Sequence, residues 1–201
     1  MAQITRMQIA DRRGARTRIE LDGELWMELD TEVVLKAQLE RGMELSLARQ
    51  EDLQKADELV RARRAGARLL QTRLRSVGEI RRKLIEKGFS EDAAEGVVAR
   101  FLDLGDLDDA RFAAAFARNE LKLHAAGPMR VRHKLRALGV AEDLIEQALA
   151  AEPGAAPEAQ LAAARRFIEK RLPRLAGDQR TRQRKMLNAL QRAGFDSDVI
   201  W

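Results

Sequence analysis

Four aspartates within seven residues, Asp103, Asp106, Asp108 and Asp109, and two histidines, His124 and His133, are the groups of this 201-residue chain best suited to hold a metal or move a proton. Neither set has the spacing for it. The aspartates lack the glycine and the distal glutamate of a calcium-binding loop, and capping of a helix accounts for Asp108 and Asp109. The histidines stand nine residues apart with no carboxylate or cysteine at ligand spacing, so neither a zinc site nor a general base is expected. No Ser-His-Asp order, nucleophile elbow or phosphate-cradling glycine loop occurs. The chain has no cysteine, hence no disulfide framework and no thiolate site. We expect a protein that is not an enzyme and holds neither cofactor nor metal.

What these residues can do is bind charge. The net charge of +5 conceals an uneven distribution: residues 1–60 hold 9 Lys/Arg against 13 Asp/Glu, and residues 61–201 hold 28 against 19. Within the basic part, residues 61–89 and 165–193 each carry 10 Lys/Arg against 2 acids, whereas residues 91–109 carry 7 acids and Arg100 alone. A charge run is most often a solvated helix face. The alternation of basic and acidic helices nevertheless points to a polarised surface whose basic side faces DNA phosphates or an acidic protein surface. The candidates are Arg81, Arg82, Lys83 and Lys87, then Arg130, Arg132, Lys134 and Arg136, then Arg182, Arg184 and Lys185. The chain has no tyrosine, and its phenylalanines sit in core phases, so stacking on bases and sequence-specific readout are not expected. DNA binding of this kind is weak, indifferent to sequence and sensitive to salt.

The elements that must position these side chains are mostly helical. Charged residues make up 34%, apolar 45% and aromatic only 4%, which suits Leu, Ala, Ile and Val helices sharing small interfaces. Residues 3–9 and 16–29 read as a small β element, with Ile4, Met7, Ile9, Ile19, Leu21, Leu25, Met27 and Leu29 inside. Asp22-Gly23 forms its hairpin turn, and a further strand pairs through the Arg13-Gly14 turn. Asp30 or Thr31 caps a short helix that runs to about Gly42. A longer helix spans Ser46 to Leu74, with Gly66 as a weak point or break. Ser76 and Ser90 cap the next two helices, the second presenting Val97, Val98, Phe101 and Leu102 to a core. Asp108 or Asp109 opens a helix with Phe112, Phe116 and Leu123 inward, and Pro128 stands in the first turn of its successor. Residues 158–172, with Leu161, Ile168 and Leu172 inside, and 178–193 form a last pair before a short helix truncated at Trp201.

The helices repeat. Gly88, Gly139 and Gly194 lie 51 and 55 residues apart, each with a leucine four residues before, Phe89, Val140 or Phe195 directly after, and an aspartate four residues on. Such self-similarity is the mark of stacked supersecondary units. The expected fold is mostly α: three tandem three-helix repeats in an elongated, curved chain, at 51–106, 107–152 and 153–201, after an N-terminal β-rich appendage at 1–50. There is no signal peptide and no apolar run long enough for a membrane, so a soluble, cytoplasmic monomer is expected.

On these residues the chain resembles the RecX family of bacterial RecA regulators. Arg75-Ser76, Glu79-Ile80-Arg81, Lys83-Leu84 and Lys87-Gly88-Phe89 are similar to the family's first repeat. Gly105 to Ala113 resembles its Gly-aromatic-Leu-Asp-Asp-x-Arg-Phe-Ala signature, and Gly127-Pro128 through Leu135 with Gly139-Val140 resembles its second repeat. The chain departs at Asp106, where the family has an aromatic or bulky apolar residue. The resemblance covers about residues 60–200. It implies a partner, the RecA–DNA filament, and inhibition of recombinase and coprotease activity without chemistry of the protein's own. It also implies that the aspartates around Asp108 and Asp109, with Arg111, organise the junction between modules, and that Phe112 is core. A general DNA- or RNA-binding module and a scaffold for an acidic partner are the alternatives.

Overall fold

A computed structural model of the chain describes residues 1–11, 14–123 and 126–200, the side chains of Leu123 and Ser197 excepted. The expectations for Arg13, the inward face of Leu123, His124 and Trp201 lie outside these residues. The chain forms two compact units, one of residues 1–73 and 80–106 and the other of 74–79 and 107–201.

The first unit opens with strands β1 (Ala2–Ile9), β2 (Arg16–Leu21), β3 (Glu24–Asp30) and β4 (Glu44–Leu45), ordered β3-β2-β1-β4 and antiparallel. Asp22 and Gly23 both take positive φ, 51° and 90°, as the expected type I′ turn requires. β4 had no signature in sequence because two residues are too few to show alternation. Ile9 and Leu25, expected inside, are exposed near strand ends, while Ile4, Ile19, Leu21 and Leu29 are buried with Val33, Val34, Leu53 and Val60.

Asp30 caps α1 (Thr31–Lys36), accepting from the Glu32 amide. The helix stops short of the expected Gly42. Gln38 turns left-handed at φ 51°, and the Leu39 amide donates back to Val34 O, which carries Leu39 into the core. Ser46 caps α2 (Leu47–Leu70), which ends one turn before the expected Leu74 and runs unbroken through Gly66. A Cβ on Gly66 would stand 2.8 Å from the Phe101 ring, so the glycine is a crossing point for α4 (Glu91–Asp103). Leu102, expected inside, faces outward while Val97, Val98 and Phe101 are buried.

Charge joins α2 to the sheet. Asp57 is buried and accepts from Arg16 and from Arg61 Nε, each at 2.7 Å, and from the Asp30 amide at 2.6 Å. Asp30, equally buried, receives Arg64, and Glu32 receives Arg63 at 2.7 Å and Lys36 at 2.8 Å. Hydrogen bonds from Lys36 and then Arg63 lower the Glu32 pKa to about 2. Arg61, Arg63 and Arg64, counted in the basic run, thus serve the interior of this unit.

Helix α3 (Val77–Glu86) places Ile80–Glu86 in the first unit and its first turn in the second. The second unit continues with α5 (Asp109–Leu123), α6 (Pro128–Ala137), α7 (Glu142–Ala150), α8 (Pro157–Arg171), α9 (Gln179–Ala193) and α10 (Ser197–Ile200). One core gathers Phe112, Ala113, Ala117, Val131, Leu135, Val140 and Ile145; another gathers Ala164, Met186, Leu190, Ala193 and Phe195. On α8 the buried residues are Gln160 and Ala164, and Ile168, expected inside, packs against the same core; Leu161 is exposed one position from Gln160, and Leu172, just past the helix, is exposed too. Gln160 is held there because its amide donates to Ala155 O and Asp196 Oδ2, both at 2.8 Å.

Candidate nucleic-acid interface

Each basic helix ends in the same way. Gly88, Gly139 and Gly194 have φ of 87°, 82° and 81°, a region open to glycine without the Cβ penalty. The amides of Phe89, Val140 and Phe195 reach back to the carbonyls of Leu84, Leu135 and Leu190 at 3.1–3.3 Å. These are Schellman closures, and the leucine four residues before each glycine is the carbonyl acceptor. Asp108 caps α5 through the Arg111 amide at 2.9 Å, and Asp109 Oδ1 accepts the Val77 amide at 2.8 Å, so Asp109 serves the start of α3. Phe112 is buried, Phe89 is half-buried and Arg111 is exposed.

Within the second unit one contact is made twice. Ser76 Oγ donates to Leu138 O at 2.6 Å, and a Cβ on Gly78 would stand 2.7 Å from that oxygen. Fifty-one residues on, the Gly127 amide donates to Ala193 O at 2.7 Å and the Met129 amide to Gly194 O at 3.1 Å. In both, amides or a hydroxyl at the first turn of one basic helix meet unpaired carbonyls at the glycine-capped end of another, so opposite ends of two helix dipoles are joined. The corresponding position in the third copy is Arg182, which lies inside α9 because that helix starts one turn earlier at Gln179. A terminal repeat that departs from the others is what a capped array needs.

The cations expected to bind a partner are largely engaged with carboxylates. In the first unit Arg81 pairs with Glu95 (Nη2 to Oε2, 2.9 Å), Lys83 with Glu86 at 2.6 Å, and Arg82 stands 3.9 Å from Glu86. These contacts lower the pKa of Glu95, through its hydrogen bond from Arg81, and of Glu86, through that from Lys83. In the second unit Arg132 meets Glu146 at 2.7 Å and Glu142 at 3.4 Å, Arg136 meets Glu142 at 2.8 Å, and Lys134 meets Glu120 at 2.7 Å. Arg81–Glu95 and Arg132–Glu146 are the same pair shifted by 51 residues. The alternation of basic and acidic helices therefore bridges adjacent helices, a use that the repeat offset could have disclosed.

Four candidates differ. Lys87, Arg130, Arg182 and Arg184 are exposed, and no ion pair to them occurs among the described residues. Lys185 Nζ donates to Ala176 O at 3.0 Å. Helices α6 and α9 enclose a groove of about 610 Å³ whose walls carry Arg130, Arg132, Lys134, Arg136, Gln191 and Arg192, with no carboxylate among its lining residues. Arg192 was no candidate in sequence, since it stands apart from the α9 cluster. Arg182, Arg184 and Lys185 do not line the groove, and the α3 cations belong to the first unit. The described residues hold no group of three or more His, Cys, Asp or Glu placed for a metal ion, and no described helix is long and apolar enough to cross a membrane.

A mostly helical chain of three three-helix repeats behind a small antiparallel sheet defines a helical-repeat protein. Family models described as the first, second and third three-helix domains of RecX match residues 62–101, 108–149 and 158–201. The regulatory protein RecX of Bacillus subtilis is 31% identical over 202 residues, covering all of this chain and 75% of that protein. That of Geobacillus kaustophilus is 33% identical over 177 residues, 88% of this chain but 65% of that relative, so the chain spans just under two thirds of its length. A crystal structure of regulatory protein RecX superposes with a TM-score of 0.74 at 27% identity, over 99% of this chain and 97% of the other. The chain belongs to the RecX family.

Proposed function

We propose that this protein is a negative modulator of RecA: it binds the RecA–DNA filament and, by blocking filament growth or promoting net disassembly, lowers ATP hydrolysis, strand exchange and coprotease activity. It acts in the cytoplasm as a monomer, without catalysis or cofactor. Its three modules, at 51–106, 107–152 and 153–201, supply separate weak contacts whose effects combine through effective concentration. Membership in a family of regulators supports this reading. The observation that carries it toward a nucleoprotein partner is the α6–α9 groove, where arginines and lysine gather with no lining carboxylate. The proposed contact residues are those of α6 with Arg182, Arg184 and Lys185, and, on α3, Arg81, Arg82, Lys83 and Lys87.

The test is RecA-catalysed, DNA-dependent ATP hydrolysis with this protein at substoichiometric ratios. A falling rate is expected, and no inhibition at any ratio overturns the proposal. The groove equally favours a general nucleic-acid-binding module, which would retain DNA or RNA in a gel shift alike with and without RecA. A scaffold for an acidic protein would retain neither.

A further inference from the structure

The α6 cations face the groove and yet three of them touch glutamates. These contacts are not equal. Lys134 pairs with Glu120, whose side chain is only 11% exposed, which marks that pair as part of the interior. The partners of Arg132 and Arg136 are different: the Glu142 and Glu146 side chains are 47% and 56% exposed. Arg136 is 60% exposed and Arg132 24%, so the first pair is solvated on both sides and the second on the carboxylate side; water reaching the carboxylates screens the attraction, and long side chains lose rotamer freedom in the pairing, which leaves little net stability. These pairs can be exchanged at small cost. Arg130 and Arg192 are exposed and touch no carboxylate among the described residues; Arg192 Nε donates only to Asn188 O, at 3.1 Å. Of the five Lys and Arg side chains that line the groove, two are open and three are held by carboxylates that themselves do not line it, Lys134 by the poorly exposed Glu120 and Arg132 and Arg136 by the exposed Glu142 and Glu146.

We propose that the α6–α9 groove is a binding site for the sugar-phosphate backbone of single-stranded nucleic acid, and that Glu142 and Glu146 act as resident competitors which the phosphates displace from Arg132 and Arg136. This rests on the nucleoprotein reading above and gives it a location and a control. Arginine suits the exchange, since its planar fork serves carboxylate and phosphate alike. Arg132 and Arg136 are one helical turn apart, about 6 Å along the axis, a spacing that places them on successive phosphates of a strand. The lining holds no Phe, Tyr or Trp and His133 is its single ring, so base stacking contributes little and the site is indifferent to sequence. Glu142 and Glu146 set a threshold: a short or sparsely charged anion does not displace them, while a continuous strand does.

The experiment is fluorescence-anisotropy titration of the full chain against a labelled single-stranded oligonucleotide, without RecA, over a series of salt concentrations. Removing the competitors in E142Q/E146Q should tighten binding roughly three- to tenfold, from two exposed pairs of ordinary strength. E24Q/E40Q makes the same change in net charge in the first unit and should leave affinity unchanged. R130Q/R192Q should weaken binding and flatten the salt slope by roughly 1.4, about 0.7 for each phosphate of a single strand that is no longer neutralised. Equal tightening in E142Q/E146Q and E24Q/E40Q, or none in either, overturns the proposal. So does a normal salt slope in R130Q/R192Q, or a preference of the unmodified chain for polyglutamate over the oligonucleotide, which would assign the groove to acidic proteins. A protein that inhibits RecA but fails these tests keeps its proposed function and loses only this site.

Discussion

Gly127 is a position at which a single methyl group has a large consequence for reasons of space alone. Its backbone is ordinary, φ −75° and ψ 160°, so alanine suffers no conformational penalty there. The obstacle is space: a Cβ would stand 2.0 Å from Gly194 O and 2.2 Å from its carbonyl carbon. Backbone cannot swing aside as a side-chain tip does, so the start of α6 must withdraw from the end of α9 by more than 1 Å to restore ordinary contact. That withdrawal breaks the hydrogen bonds from the Gly127 amide to Ala193 O and from the Met129 amide to Gly194 O. Two such bonds at about 1 kcal/mol each, with an overpacking cost of about 1–2 kcal/mol, give a loss of about 3–4 kcal/mol for Gly127→Ala. Gly88→Ala is the matched control. It requires positive φ but meets nothing within 4 Å, so it should cost about 1 kcal/mol. Urea unfolding should place the Gly127→Ala midpoint roughly 1.5–2 M below that of the parent, at a slope of about 2 kcal/mol/M, with the Gly88→Ala midpoint within about 0.5 M. Amide exchange at Met129 should accelerate in Gly127→Ala alone. Equal midpoints for the two variants, or protected Met129 exchange in Gly127→Ala, would refute the argument that close backbone approach, and not turn conformation, makes residue 127 a glycine.

Other outcomes follow from the same structure. Asp57→Asn removes the buried negative charge and turns one of the two oxygens that accept from Arg16 and Arg61 into an NH2 donor facing a guanidinium, and should lower stability by about 2–3 kcal/mol in denaturant titration, whereas Asp52→Asn, an exposed change on the same helix, should be neutral. Glu32 has a folded pKa depressed to about 2 from an ordinary 4.5, so its contribution is present above pH 4.5 and lost as pH falls toward 2. Glu32→Gln should therefore be less stable than the parent at pH 6 and lose less on acidification through that window, as thermal melts across pH would record. Ser76→Ala removes both the bond to Leu138 O and the cap on the Glu79 amide, and should cost about 1–2 kcal/mol in the same urea assay.

Several features were legible in residue order because their causes are local. The Asp22-Gly23 turn, the serine and aspartate caps, and the positive-φ glycines each follow from what one or two residues can adopt, and the period of 51 and 55 residues exposed the repeat without any structure. Misplaced readings came where a distant partner decided. Gln160 took the buried place read for Leu161 because it reaches Asp196, and the outward turn of Leu102 was set by the side of α4 that α2 covers. Gly66 looked like a break because sequence does not show Phe101 lying against it.

The charges mark the same division most sharply. By itself the sequence determined how many cations there are and that they recur on the second helix of each copy, since net charge and helical period are sums over the chain. Tertiary structure alone decided which of them are available. It gave Arg61, Arg63 and Arg64 to the carboxylates of the first unit and Arg81 to Glu95, and it brought Arg192 across to α6 from 56 residues beyond Arg136. An ion pair acts across a few ångströms of space and takes no account of separation along the chain.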